Sequence, residues 1–463
     1  MLNTETRQAL IRILGPEHVL ETPEDLLCYA YDASPIPMDP SRMPSLVVFP
    51  GSAEEVSQIV LLANEKGFAI CPRGAGSNVS GGSIPDRDAV VMVLSRMNRI
   101  LTIDQLNMTA DLEPGVITEQ FQNAVEKVGL FYPPDPSSKG FSTMGGNVAE
   151  CAGGPRGAKY GVTRDYVLAL EVVMPTGEIV HTGARTMKSV AGLDLTRLLV
   201  GSEGTLGIIT RITVRLLALP PAKKTLMAIF PDLEKASETV ARIFTGGMVP
   251  TTLELLDKTF INAIEDYRQI GLPRDAEAIL LIEVDGEAES LDRQADRIAE
   301  ICRQHGATRI QVAKDAAEAE ELWIARRSAF ASVSRIKPSI IGEDATVPRA
   351  AIPQAIREVQ AIAARHRLTI GVLGHAGDGN LHPTILADER DPDEMRRVEL
   401  AVEEIFRALL ALGGTLSGEH GIGRMKSPFL NLETGKAGLE VMRRIKQALD
   451  PKNILNPAIG LGD

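Results

Sequence analysis

Cysteine is scarce in this chain, and its four cysteines, Cys28, Cys71, Cys151 and Cys302, form no CxxC pair. Such scattered thiols argue against an iron–sulfur cluster and a disulfide framework, and point to a reducing, cytoplasmic compartment. Positive charge is also in deficit. Lys and Arg total 49 against 61 Asp and Glu, a net charge of −12, which disfavours a nucleic-acid or polybasic membrane-surface binder. No apolar run is long enough to span a bilayer. The opening MLNTETRQALIRILGPEHV reads as a short amphipathic helix, without the apolar core of a signal peptide. Any membrane association would be peripheral, through a partner. Low-complexity segments and short-period repeats are missing too. What remains is 463 residues, 44% hydrophobic and 24% charged, the profile of a soluble globular protein of two or three domains.

Along the chain, a buried strand at 44–50 precedes a helix with Ser52 and Glu55 spaced as a capping box and Gly67 at its end. The strand FAICPRG enters a glycine-rich loop, AVVMVL (89–94) is the next strand, and TEQFQNAVEKVG is helical. A long stretch at 131–165 is rich in Gly, Pro and Ser. LALEVVMPTGEIVHTG predicts a hairpin, and GIITRITVRLLAL a strand that ends at Pro220-Pro221, a domain boundary. Beyond it come strand 224–230, helix 232–246 and strand 251–257, then strand 278–284, helix 289–305 and strand 307–314. That order is the split βαβ pattern of ferredoxin-like sandwiches. A long helix (316–335), a strand and a helix near 350–366 follow.

Three stretches carry bare backbone. CPRGAGSNVSGGS (71–83) follows a strand, and its glycines let main-chain N–H groups close around an anion such as pyrophosphate. It is not a Rossmann fingerprint: the third glycine is replaced by Val79, and no clear helix follows. Residues 132–167 form an irregular loop too long for a compact domain unless it is functional. GSEGTLGIIT (201–210) places small residues just before a strand.

GHAGDGNLHP (374–383) holds two of the seven histidines. With Asp378-Gly379 as a two-residue type I′ loop, His375 would lie directly opposite His382, with Cβ atoms about 5 Å apart. Two imidazoles so placed can share a cation. A satisfied cross-strand pair without metal is the alternative. SGEHG (417–421) offers a further carboxylate and imidazole, and spacing does not decide whether Glu419 or His420 would bind a metal.

PRGAGSNVSGG, PPDPSS, GGNVAE, AGGPRGAKYGVTRDYV, GSEGTLGIIT, GHAGDGNLHP and SGEHGIG together, in that order, resemble the flavoprotein family of vanillyl-alcohol oxidase and p-cresol methylhydroxylase. The likeness runs from about residue 20 to the end. It lies with the D-2-hydroxy-acid dehydrogenase branch, which includes D-lactate dehydrogenase and the glycolate oxidase flavoprotein subunit. The resemblance implies an α+β fold: a two-subdomain FAD-binding domain of the p-cresol methylhydroxylase type, a ferredoxin-like substrate (cap) domain, and C-terminal helices. The expected divisions are a helical segment (1–40), the FAD domain (41–220), the substrate and metal domain (221–425), and a C-terminal helical segment returning to the FAD domain (426–463).

By the same resemblance, FAD would be bound by Pro72, Arg73, Gly74, Ala75, Gly76, Ser77, Asn78 and Gly82. Pro134, Asp135, Met144, Gly145, Gly146, Asn147, Ala149, Gly153 and Gly161 would line it further, with Gly204, Ile208, Ile209 and Asn456. Ser77 stands where some members carry a flavin-tethering histidine, so FAD is expected to be non-covalent. His375, His382 and Glu419 would hold a divalent metal (zinc, manganese or iron), His420 would be the base, and Arg326 would grip the substrate carboxylate. The implied reaction takes a small 2-hydroxy acid, glycolate or D-lactate, to its 2-oxo acid by hydride transfer to flavin N5. D-2-hydroxyglutarate oxidation, or an FAD-binding subunit without activity of its own, are the alternatives. Electrons would leave to an iron–sulfur subunit, an electron-transfer flavoprotein or quinone, and a homodimer stays open.

Overall fold

The computed structural model describes residues 2–460. The chain folds as two compact units. One takes the chain up to Gly153, Val162–Leu219 and everything from Glu419 on; the other takes Gly154–Gly161 and Pro220–Gly418. The units divide between Leu219 and Pro220. The chain returns to the first unit between Gly418 and Glu419, and the short piece around Gly157 belongs to the second unit.

The first unit contains two larger sheets and a two-stranded ribbon of Leu130–Phe131 with Leu217–Ala218. In one, β1 (Val19–Leu20), β2 (Leu46–Val48), β3 (Ile70–Arg73) and β4 (Val90–Val93) run in the order β1-β2-β4-β3, with β2, β3 and β4 parallel. Helix Ala53–Lys66 follows β2, and its Val56, Ile59, Val60 and Ala63 are buried in the core of this sheet. Ser52 Oγ accepts from Glu55 N at 3.3 Å as the capping box requires, but Glu55 Oε2 reaches Gly51 N (2.7 Å) rather than Ser52 N. The reciprocal half of the box therefore lands one residue early.

The second sheet is antiparallel throughout: β5 (Ile100–Asp104), β6 (Thr109–Leu112), β7 (Val167–Val173), β8 (Ile179–Gly183) and β9 (Ile208–Arg215), ordered β5-β6-β9-β7-β8. The expected hairpin is β7–β8. The long stretch at 131–165 is less irregular than its composition predicts. Thr143 Oγ1 accepts from Gly146 N and caps a helix, Met144–Glu150, which buries Met144 and Val148 despite two glycines in its first turn.

The second unit is built on one antiparallel sheet. Beside the short Ala345–Thr346, which pairs with Leu381 and Asn380, its strands are β10 (Ala222–Phe230), β11 (Thr252–Asp257), β12 (Ala278–Gly286), β13 (Arg309–Val312), β14 (Ser339–Gly342), β15 (Thr369–His375) and β16 (Asn380–Ala387). Their order is β13-β10-β12-β11-β15-β16-β14. The first four strands reproduce the ferredoxin-like arrangement that the split βαβ pattern predicts, and three more extend its β11 edge. Alternation along β11 divides the faces. Leu253 and Leu255 enter a core with helices Leu233–Thr245, Ala288–Gln304, Ile352–His366 and Pro392–Ala411. Leu256 enters the opposite core, with helices Lys258–Arg268 and Ala316–Val333. Glu254 shares the face of Leu256, and that places an acid in an apolar layer. Among the described residues no helix is long and apolar enough to cross a membrane.

Candidate functional site

In the first unit, β3 delivers Arg73 directly into the glycine loop. Arg73 is buried and its Nη1 donates to the carbonyls of Tyr31 (2.7 Å) and Ser83 (3.4 Å). Asn78 Nδ2 donates to Asp32 Oδ2 at 2.9 Å and Asn78 Oδ1 accepts from Ser83 Oγ at 2.8 Å, which closes the loop's far end. Between these anchors, the main-chain N–H groups of Gly74, Ala75, Gly76, Ser77 and Asn78 donate to no acceptor among the described residues. A fixed loop with uncommitted amides is the arrangement that receives a phosphate. Crowding accounts for Gly74 in this loop and for Gly145 in the helix Met144–Glu150: a Cβ on Gly74 would stand 2.3 Å from Thr143 Oγ1, and one on Gly145 2.5 Å from Pro114 Cβ.

The other expected cofactor residues are mixed in role. Met144, Gly145 and Asn147 spend their amides on Val116, Pro114 and Thr143, and Asn147 Nδ2 donates to Thr118 Oγ1 (2.7 Å). Gln122 Nε2 holds the Pro134 carbonyl, and Glu203 N holds that of Ala149. Ile208 and Ile209 are core residues of the two sheets. Gly204 packs against Pro72. Asn456 is buried; its Nδ2 donates to the carbonyls of Gly82 (3.0 Å) and Glu203 (2.8 Å), and its Oδ1 has no hydrogen-bond partner among the described residues. Gly153 lies under the Glu419 side chain, whose Oε2 would be 2.7 Å from a Cβ there. Gly161 falls in the second unit.

Two acids escaped sequence reasoning here. Glu203 accepts from the amides of Ile422 and Gly423, both at 2.8 Å. Glu150 Oε2 is buried without a hydrogen-bond partner among the described residues. Burial raises the pKa of both carboxyls, and the negative charge of Glu203 pushes Glu150 higher still. An acid closing the GGNVAE helix was the only signal for Glu150.

In the second unit, His375 ends β15 and His382 lies on β16. The hairpin register differs from the expected one: His382 pairs with Leu373, and His375 with Asn380. The loop therefore spans 376–379, with Gly379 at φ 89° and Asp378 outside the positive-φ region that a type I′ turn demands. The histidines are diagonal neighbours on one face instead of direct partners. Their rings still meet, with centroids 5.2 Å apart and planes at 87°. Both are buried.

Next along the same face is Glu254. Leu256 pairs with Leu373 and Leu255 with Gly374, so the following step of the ladder sets Glu254 across from His375. Its Oε1 lies 2.6 Å from His375 Nδ1, and its Oε2 accepts from Arg326 Nε at 2.6 Å. Burial alone would raise the carboxyl's pKa, but the charges and hydrogen bonds of His375 and Arg326 outweigh it and hold the group below its ordinary value. The Nδ1–H given to a carboxylate leaves Nε2 as the lone-pair nitrogen of His375. Arg326 comes from helix Ala316–Val333, is 7% exposed, and has no hydrogen bond on Nη1 or Nη2 among the described residues. Asp344, fully buried, holds the other end: its Oδ2 accepts from Ser417 Oγ (2.7 Å) and Gly418 N (2.9 Å), and its Oδ1 is 3.7 Å from His382 Nδ1. Glu419 and His420 follow Gly418 in the chain. Two imidazoles backed by buried carboxylates form a nitrogen–oxygen donor set that suits a divalent transition metal. Glu254 and Asp344 went unnoticed in the sequence, because a lone acid in TLELLD or GEDATVP has no spacing partner.

The family described as "FAD binding domain" matches residues 44–183, and "FAD linked oxidases, C-terminal domain" matches residues 219–459. The chain is 48% identical over 457 residues to the glycolate oxidase subunit GlcD of Bacillus subtilis (strain 168), covering 99% of this chain and 97% of that one. It is 35% identical over 421 residues to a probable mitochondrial D-lactate dehydrogenase of Danio rerio, covering 90% and 84%. Its fold is similar to that of p-cresol methylhydroxylase with substrate bound, with a TM-score of 0.81 at 18% identity, covering 99% of this chain and 96% of that one. The chain belongs to the FAD-linked oxidase family and is an FAD-dependent oxidoreductase.

Proposed function

We propose that this protein oxidises a small 2-hydroxy acid, glycolate or D-lactate, to the corresponding 2-oxo acid. The observation that carries this reading is the buried gathering of His375, His382 and Arg326 on one sheet face, where a hydroxy-carboxylate would meet both a cation site and a guanidinium. The names of its relatives agree, a glycolate oxidase subunit and a D-lactate dehydrogenase. Bound FAD would accept the hydride from the substrate's Cα, and a bound divalent cation, zinc, manganese or iron, would lend Lewis-acid charge to the hydroxyl oxygen.

The chain's residues divide the remaining work. The Gly74–Asn78 amides hold the FAD pyrophosphate, non-covalently because Ser77 offers no tether. His375, His382 and Glu419 hold the cation. Arg326 presents Nη1 and Nη2 as a planar fork to the substrate carboxylate. His420 takes the hydroxyl proton. Phe330, one turn beyond Arg326 and packed edge-on against Phe260, offers no partner for a second carboxylate, which favours monocarboxylates over D-2-hydroxyglutarate. Electrons then pass to a separate acceptor, an iron–sulfur or flavoprotein partner or quinone.

Anaerobic flavin reduction with glycolate, both lactates and D-2-hydroxyglutarate tests this. Glycolate or D-lactate should bleach the flavin, and chelation of the metal should abolish that bleaching. Metal-replete protein that no 2-hydroxy acid reduces would overturn the reading.

A further inference from the structure

We infer that Glu254 is a positioning residue that ties the cation-binding imidazole of His375 to the carboxylate-binding guanidinium of Arg326. The inference rests on the function proposed above and deepens it. Glu254 touches neither FAD nor substrate in that scheme, and its effect runs through its two partners.

The geometry is specific. One fully buried carboxylate spends one oxygen on each group, at 2.6 Å in both cases. The three residues come from β11, β15 and helix Ala316–Val333, elements far apart in sequence that Glu254 joins at a single point. The bond to His375 Nδ1 fixes the ring's rotation and tautomer and makes its outer nitrogen a better ligand. The bond to Arg326 uses only Nε, which leaves the terminal fork aimed elsewhere, and a carboxylate ligand needs that fork for two parallel hydrogen bonds. The spacing between cation and guanidinium is thus set by one side chain. A 2-hydroxy acid presents its hydroxyl and carboxylate at a fixed separation, so a rigid spacing selects it. The same carboxylate also balances the buried positive charge of Arg326, which would otherwise stand unpaired in an apolar layer.

The test compares wild type, Glu254→Gln and Glu254→Asp, each FAD-loaded. Mn2+ affinity is measured by calorimetry without substrate, and KM and kcat are measured at saturating Mn2+. Glu254→Gln keeps the shape but cannot accept from both donors, so Mn2+ affinity should fall about 10- to 100-fold, and KM should rise together with it. FAD content and the oxidised flavin spectrum should stay as in wild type. Glu254→Asp keeps the charge with a shorter reach and should shift both quantities in the same direction by less; it stands in if the Gln variant does not fold. Unchanged Mn2+ affinity with unchanged KM overturns the role of Glu254. Movement of only one of the two shows that Glu254 does not link them, which also overturns it. Wild-type protein that neither binds Mn2+ nor reduces its flavin with any 2-hydroxy acid overturns instead the function on which the inference rests.

Discussion

Glu150 is opposed on two counts, by burial and by the nearby charges of Glu203 and Asp32, so its carboxyl holds its proton well above the ordinary 4.5. A folded-state pKa above the unfolded one gives stability that is fully present below the unfolded pKa and is lost as pH rises through the folded value. Wild-type stability should therefore decline from about pH 4.5 upward through this group. Glu150→Gln cannot ionise and escapes that loss. Its melting temperature should exceed that of wild type at pH 8, and the gap should close toward pH 4.5. Thermal melts across this range check it, and a variant less stable than wild type at pH 8 would contradict it. His420 calls for a different readout. His420→Ala should retain FAD and metal yet lose substrate-driven bleaching, and bleaching at near wild-type rate would remove it from the role of base.

Elements decide how accurately residues meet. The β15–β16 hairpin was legible from Asp378-Gly379 and the flanking β-formers, and so was the likelihood that its histidines approach each other. Its register was not, because loops of two and four residues both satisfy that pattern and both keep the histidines on one face. The loop observed puts φ 89° on Gly379, with Val347 O only 2.0 Å from where a Cβ would stand. Gly379→Ala combines backbone strain with a clash against main chain, and should cost about 1–3 kcal/mol. Because Val347 N also donates to Gly379 O at 3.0 Å, the strain reaches the segment that continues from Asp344. Metal content should fall along with the urea midpoint. The ferredoxin-like core was legible because each βαβ unit is local and its periodicities switch cleanly between 2 and 3.6. The addition of β14, β15 and β16 to the β11 edge was not, since that pairing joins residues more than a hundred positions apart. Glu254 was hidden for the same reason: its partner His375 lies 121 residues away and Arg326 lies 72 away.

For the whole molecule the open quantity is electron exit. Cys71, Cys151 and Cys302 are buried and Cys28 is exposed. Burial pushes the Cys71 and Cys302 thiols up to about 12, so neither serves as a ready thiolate at neutral pH. The sequence holds no CxxC pair, and the function proposed above hands the flavin's electrons to a separate acceptor. The relative that matches 99% of the chain is itself named a subunit. Under the proposed function, turnover by the isolated protein should be limited by reoxidation. Substrate should reduce the flavin quickly and completely without air, while steady-state oxygen consumption stays slow and an added dye acceptor raises the rate at least tenfold. Stopped-flow reduction set beside oxygen-electrode turnover makes the comparison directly. If oxygen alone matched the dye, the protein would be a self-sufficient oxidase, and the need for a separate acceptor would fall while the roles of Arg326, His375 and His382 stood unchanged.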